Sequence, residues 1–122
     1  MHEMSVCLAL MAEVERIASE RDARSVTRIT VSIGPLSGVE ARLLERAFPL
    51  AAAGTRAEHA TLEIESLDIV VRCSQCGETS KARANRLLCG SCGDYRTNIV
   101  SGEEMLLQSV ELDLPEARSL AV

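Results

Sequence analysis

Two short pairs of cysteines carry the plainest chemistry in this chain: Cys73-Ser74-Gln75-Cys76 and Cys89-Gly90-Ser91-Cys92, with twelve residues between the pairs. A Cys-x-x-Cys turn lets two thiolates converge on one ion, so two such hooks supply the four sulfurs of a closed tetrahedral metal site. Gly77, Gly90 and Gly93 lie in or beside the hooks. Glycine accepts the positive-φ turns that aim backbone N–H groups at sulfur. Zinc is the favoured occupant of an all-sulfur, closed site with no evident redox task. A rubredoxin-like iron site uses similar knuckles and is its main rival; two disulfides are the third alternative. A zinc tetrathiolate carries a net −2, and Arg72, Lys81, Arg83, Arg86 and Arg96 are close enough in sequence to offset it. A closed site explains folding and leaves no coordination position for work on a substrate.

A second cluster lies at the start of the chain. Met1 is expected to be retained before the large His2. The Met1 amine, the His2 amide nitrogen and the His2 imidazole can then close two adjacent chelate rings. Deprotonated amides are strong-field donors, and planar nitrogen sites of this kind suit Ni(II) or Cu(II). Glu3 adds an amide nitrogen or a carboxylate. On spacing alone, a histidine at position 2 reads first as an exposed residue.

These residues need a scaffold. The chain has 122 residues, enough for one modest core and a metal lobe. Hydrophobic residues make up 47% of it, but there is one Tyr, one Phe and no Trp, so the core must be aliphatic. Residues 4–20 place Cys7, Leu10, Met11, Val14, Ile17 and Ala18 on one helical stripe, and Met4, Cys7 and Met11 are expected in the core. Residues 28–33 alternate as a half-buried strand ended by Gly34-Pro35. A second helix is expected after Ser37-Gly38, with Val39, Leu43, Ala47 and Leu50 as its apolar line and Leu44 and Phe48 widening it. Pro49 should kink or stop it. Glu40 in its first turn suits the helix dipole. Residues 61–71 read as strand with a bulge or break near Ser66, and residues 105–112 as a last strand returning to the sheet. The expected fold class is α+β: a two-layer domain of two helices on a small mixed sheet, with an inserted zinc-ribbon-like lobe. Residues 71–97 form the lobe, residues 1–70 and 98–114 the α+β domain, and residues 115–122 a C-terminal tail.

The formal charge of −5 becomes −7 once four thiolates hold a divalent ion, which disfavours general nucleic-acid binding. The lobe alone runs basic, so a zinc-ribbon adaptor touching nucleic acid or protein is the alternative reading of function. Few aromatics are available for base stacking. An iron–sulfur electron carrier is a third reading. No nucleophile–base pair or phosphate loop is visible, so an enzyme is not expected. Without a secretory leader or a membrane-length apolar window, and with Cys7 left over from the two hooks, the chain reads as cytoplasmic with no membrane partner.

The opening Met1-His2-Glu3-Met4-Ser5-Val6 resembles the start of the hydrogenase nickel-incorporation chaperones, the HypA/HybF family. The stretch from Val31 to Glu40, followed by Leu44 and Ala47-Phe48, is similar to that family's strand-to-helix segment. The paired hooks and Gly102-Glu103-Glu104-Met105-Leu106 complete the resemblance, which runs from Met1 to about Leu112. It implies a nickel metallochaperone for maturation of nickel–iron hydrogenase. Nickel is expected at the amino terminus with His2 as essential side chain, the neighbouring backbone nitrogens and Glu3 in the same site, and Glu40 able to complete the sphere. Cys73, Cys76, Cys89 and Cys92 are implied to carry structural zinc. The implied partners are a nickel-handling GTPase and the hydrogenase large subunit; some members also serve urease, and a homodimer is open. One departure stands out. Some relatives carry histidine near the hooks, whereas the only other histidine here is His59, expected at the surface.

Overall fold

The computed structural model describes residues 2–115. The Met1 amine and all of the expected tail beyond residue 115 lie outside the described residues. The elements run α1 (Glu3–Glu20), β1 (Ser25–Ile33), α2 (Ala41–Ala52), β2 (Thr61–Ser66), β3 (Ile69–Cys73), β4 (Thr79–Ala82), β5 (Thr97–Ser101) and β6 (Met105–Asp113). They form an α+β fold with two three-stranded sheets, ordered β2-β1-β6 and β4-β3-β5. The described residues divide into two compact units: residues 2–31, 40–64 and 107–115 make a helical unit, and residues 32–39 and 65–106 a cysteine unit.

In the helical unit, α1 buries Cys7, Leu10, Met11, Val14 and Ala18, the spacing of a single helical stripe. Met4 does not join it: the side chain is 38% exposed, because it sits at the flank of that stripe. Helix α2 buries Leu44, Ala47, Phe48, Ala51 and Ala52. Leu43 and Leu50 fall outside this arc and are exposed, so the apolar line lies about one position further round the helix than the sequence suggested. Pro49 does not stop α2, which continues to Ala52. Pro49 and Glu45 are both exposed, so the Glu45 carbonyl that loses its N–H partner can be served by water. Burial of Ala51 and Ala52 favours the last turn. Strand β1 contributes Val26, Ile29 and Val31 to the core. The Glu15 carboxylate accepts hydrogen bonds from the Arg56 backbone N–H and guanidinium, tying α1 to the segment that follows α2.

The cysteine unit has a sheet of its own. The expected break near Ser66 is more than a bulge: the chain leaves one sheet there and enters another at Ile69. Strand β3 pairs antiparallel with both β4 and β5, with a register shift between Val70 and Val71 on the β5 side. Strands β4 and β5 escape sequence reading because both are short and mostly polar. The segment 34–36 and the segment 102–104 are clasped. The Gly34 N–H donates to the Glu104 carbonyl and the Leu36 N–H to the Gly102 carbonyl, each at 2.8 Å. The Gly102 N–H donates to the Glu104 side chain at 2.8 Å, which holds that carboxyl below its usual range. A β-carbon on Gly34 would lie 2.1 Å from the Gly102 carbonyl oxygen, and Gly102 itself has φ of 113°. Both positions therefore require glycine. Gly34→Ala is expected to destabilise the cysteine unit by about 1–3 kcal/mol, read as a lower urea midpoint for β3–β5 resonances, whereas alanine at Gly38, which has open space around it, acts only through its φ.

Candidate metal centres

The hooks are two copies of one local fold. In the first, the Gln75 and Cys76 N–H groups donate to the Cys73 sulfur at 3.3 and 3.4 Å. In the second, the Ser91 and Cys92 N–H groups donate to the Cys89 sulfur at 3.3 and 3.4 Å. Gly77 and Gly93 then turn with φ of 78° and 80°, their N–H groups returning to the Cys73 and Cys89 carbonyls. The Cys73 N–H reaches the Glu78 carbonyl and the Cys89 N–H the Asp94 carbonyl, both at 2.9 Å, closing each loop in the same way.

All four sulfurs lie within 4.8 Å of one another. The Cys73–Cys92 and Cys76–Cys89 pairs are both 3.6 Å apart. A tetrahedral ion with metal–sulfur bonds of about 2.3 Å demands sulfur separations of ~3.8 Å. A disulfide requires a bond of about 2.0 Å. The cage therefore fits a single tetrahedral ion and contains no disulfide. Cys73 and Cys89 are buried while Cys76 and Cys92 are exposed.

Metal-free, the four thiols differ in acidity. The backbone N–H groups of Cys92 and Ser91 pull Cys89 down to about 6, and the Cys76 N–H pulls Cys73 below the usual thiol range. Cys76 receives the Glu78 N–H, yet burial and protons shared with Cys89, Cys73 and Cys92 push it up to about 12. At neutral pH a metal ion must therefore displace protons from several thiols. The sign follows directly: occupancy is favoured at high pH and lost as pH falls. Of the four thiols, Cys89 has the most strongly depressed pKa and so competes least with the ion for a proton. Metal affinity is expected to fall about tenfold for each displaced proton per pH unit, measurable by competition with a chromophoric chelator between neutral and mildly acidic pH.

Arg96 is committed close by. Its guanidinium and backbone N–H donate to the Asp94 carboxylate, which is driven down to about 2, and it stacks over Tyr95 with 5.6 Å to the ring centroid. The Ser74 hydroxyl donates to the Arg96 carbonyl and the Ser80 hydroxyl accepts from the Gly90 N–H, both at 2.8 Å. Sequence reasoning missed these braces, since nothing in a lone serine marks its partner.

The amino end is built differently. His2 is the exposed residue preceding α1, and the helix ladder begins with the Val6 N–H donating to the His2 carbonyl at 2.9 Å. The amides of residues 2 and 3 thus precede the ladder. Glu3 is the first helical residue and is buried. Its carboxylate accepts a hydrogen bond from the Glu40 N–H at 3.3 Å. Glu40 is the residue before α2 and caps that helix with no side-chain bond of its own. The amino ends of α1 and α2 therefore meet through Glu3, and both helix dipoles present their positive ends there. Among the described residues, the side-chain ligand atoms of His2, Glu3 and Glu40 do not converge as the four thiols do. His59 is exposed in the turn before β2.

Two hooks closing a sulfur tetrahedron on a small sheet, in a chain that also carries a two-helix unit, define a small α+β metal-site protein. Among the described residues no helix is long and apolar enough to cross a membrane. Residues 1–112 match the family model described as hydrogenase/urease nickel incorporation, metallochaperone, HypA. The chain belongs to the HypA family, whose members are hydrogenase maturation factors. It is 50% identical over 112 residues to the hydrogenase maturation factor HypA of Nitrosospira multiformis, covering 92% of this chain and 97% of that one. It is 44% identical over 114 residues to the factor of the same name from Aquifex aeolicus, covering 93% and 99%. The solution structure of the Ni metallochaperone HypA from Helicobacter pylori superposes with a TM-score of 0.70 at 29% identity, covering 94% of this chain and all of that one.

Proposed function

We propose that this chain carries Ni(II) as cargo on its first residues and passes it to a nickel–iron hydrogenase during maturation, while the four-cysteine cage holds zinc as a structural ion. The observation that carries the reading is the start of α1. The amides of residues 2 and 3 stand ahead of a hydrogen-bond ladder that opens at Val6, so binding nickel through them breaks no helix bond. An amide nitrogen must lose its proton to bind Ni(II) well. The resulting anion sits at the positive ends of two helix dipoles, which lowers the cost of forming it. The His2 imidazole supplies a neutral donor from an exposed position.

The Glu3 and Glu40 roles separate on the same geometry. The Glu3 carboxylate faces the Glu40 N–H, so Glu3 contributes its amide to nickel and its side chain to holding the two helix starts together. The Glu40 carboxylate is exposed and can complete the nickel sphere. A site of backbone nitrogens at a chain end lets an incoming ligand attack before the old ones leave, which suits exchange rather than catalysis; we assign the protein no enzymatic step. For the cage, an all-thiolate donor set at tetrahedral spacing suits zinc, with no position open for chemistry. A nickel-handling GTPase and the hydrogenase large subunit are the proposed partners, in the cytoplasm; urease and a homodimeric state extend the proposal.

An amino-terminal extension directly before Met1 tests the chelate. It is expected to weaken nickel binding about tenfold or more while cage metal content and thermal stability stay unchanged. Equal nickel affinity in extended and unextended proteins would remove the amine from the site.

A further inference from the structure

Beside the cage lies an open cleft of about 420 Å³, rimmed by Lys81, Arg83 and Arg86 and walled by Ala82, Leu88 and the backbone of Gly90. Arg83 and Arg86 form an antiparallel bridge closed by the Arg86 N–H donating to the Arg83 carbonyl at 3.0 Å. The bridge sets Arg83 and Arg86 opposite each other, so two positive charges share one rim of the cleft, and like charges placed opposite each other favour an anion that answers both. Lys81 is already paired with Asp68 at 3.1 Å. Among the described residues neither Arg83 nor Arg86 has a carboxylate within salt-bridge distance. The cage sulfurs do not claim them either: the hydrogen bonds to the Cys73 and Cys89 sulfurs come from backbone N–H groups of the hooks.

We infer that this cleft is a docking site for a short acidic segment of a partner protein, in which an aliphatic side chain stands beside a carboxylate. The two guanidinium forks take the carboxylate, and Leu88 and Ala82 take the aliphatic group. Inorganic phosphate would satisfy the arginines and leave that wall uncovered. A nucleic acid needs stacking faces, and no aromatic residue lines the cleft. It would also approach a chain of formal charge −5. A short acidic peptide meets only the local pair. The inference concerns docking and does not depend on nickel at the amino end.

The test is fluorescence anisotropy of a short fluorescein-labelled peptide alternating leucine and glutamate, titrated with the full zinc-loaded chain. Arg83→Gln/Arg86→Gln is expected to weaken binding about tenfold or more. Arg42→Gln/Arg46→Gln on the exposed face of α2, which removes the same net charge, is expected to leave it unchanged. Equal loss in both variants would overturn the proposal in favour of general electrostatics. So would displacement of the peptide by millimolar inorganic phosphate, or by an oligonucleotide at the concentration of the peptide. If the first variant sheds its cage metal, the arginines serve the cage instead and the proposal fails. In the unaltered protein the same peptide should shift the Nε–H NMR signals of Arg83 and Arg86; signals that stay still while binding saturates would also overturn it.

Discussion

Replacing Cys89 by serine is expected to unfold the cysteine unit and leave α1 and α2 intact. The reason is the size of that unit's core. Its buried hydrophobic side chains are Ile33, Ile69 and Val71, together with Cys73 and Cys89 themselves. So small a core cannot offset the entropy of ordering two segments of chain without a cross-link. Structural zinc supplies about 10–16 kcal/mol in small metal-folded peptides, which is as large as the whole stability of an ordinary domain. The Cys89 thiol is also held well below the usual range by the two backbone N–H groups its sulfur receives from its own hook, the same pattern that Cys73 shows. Serine oxygen keeps the shape but loses the thiolate. The expected spectrum shows collapsed amide dispersion for β3, β4 and β5, with the far-UV helical signal of α1 and α2 retained. Native dispersion in metal-free Cys89→Ser protein would show that the sheet folds without its ion.

His2→Ala is expected to act in the opposite way: nickel uptake and hydrogenase maturation are lost and the fold is untouched. His2 is exposed and makes no side-chain hydrogen bond to cap α1. Its removal should change stability by less than about 0.5 kcal/mol. The imidazole is nonetheless the only aromatic nitrogen near the chain start, so no neighbour can replace it. Glu3→Gln provides the contrast. Its amide oxygen can still accept from the Glu40 N–H, so the helix starts stay joined and nickel affinity should fall little. A large loss with Glu3→Gln would make the Glu3 carboxylate a direct ligand. Hydrogenase activity in cells carrying each variant, alongside nickel titration of the purified proteins, separates the two roles.

What could be read without coordinates was what is local. The cage was legible because a Cys-x-x-Cys turn dictates its own geometry and glycine marks where the turn closes. The buried stripe of α1 was legible because it repeats over about three turns, from Cys7 to Ala18. The line of α2 was misplaced by one position because Leu43 and Leu50 are as apolar as Leu44, and only packing decides which of them is covered. Residues near Ser66 announced a break but not a change of sheet, since the destination depends on pairing with strands far along the chain. The clasp between Gly34 and Gly102 and the bond from the Glu40 N–H to Glu3 join residues 68 and 37 positions apart, and no pattern within either segment encodes the partner. Both glycines lie within the segments that carry the family resemblance, and the close backbone approach supplies a physical reason for them.

The division of labour between the two centres is tested most directly by native mass spectrometry of the unextended, zinc-loaded chain titrated with Ni(II). The account predicts a species holding one zinc and one nickel together, with His2→Ala holding zinc alone. A species in which nickel merely replaces zinc, or no nickel-bound species at all, would contradict it.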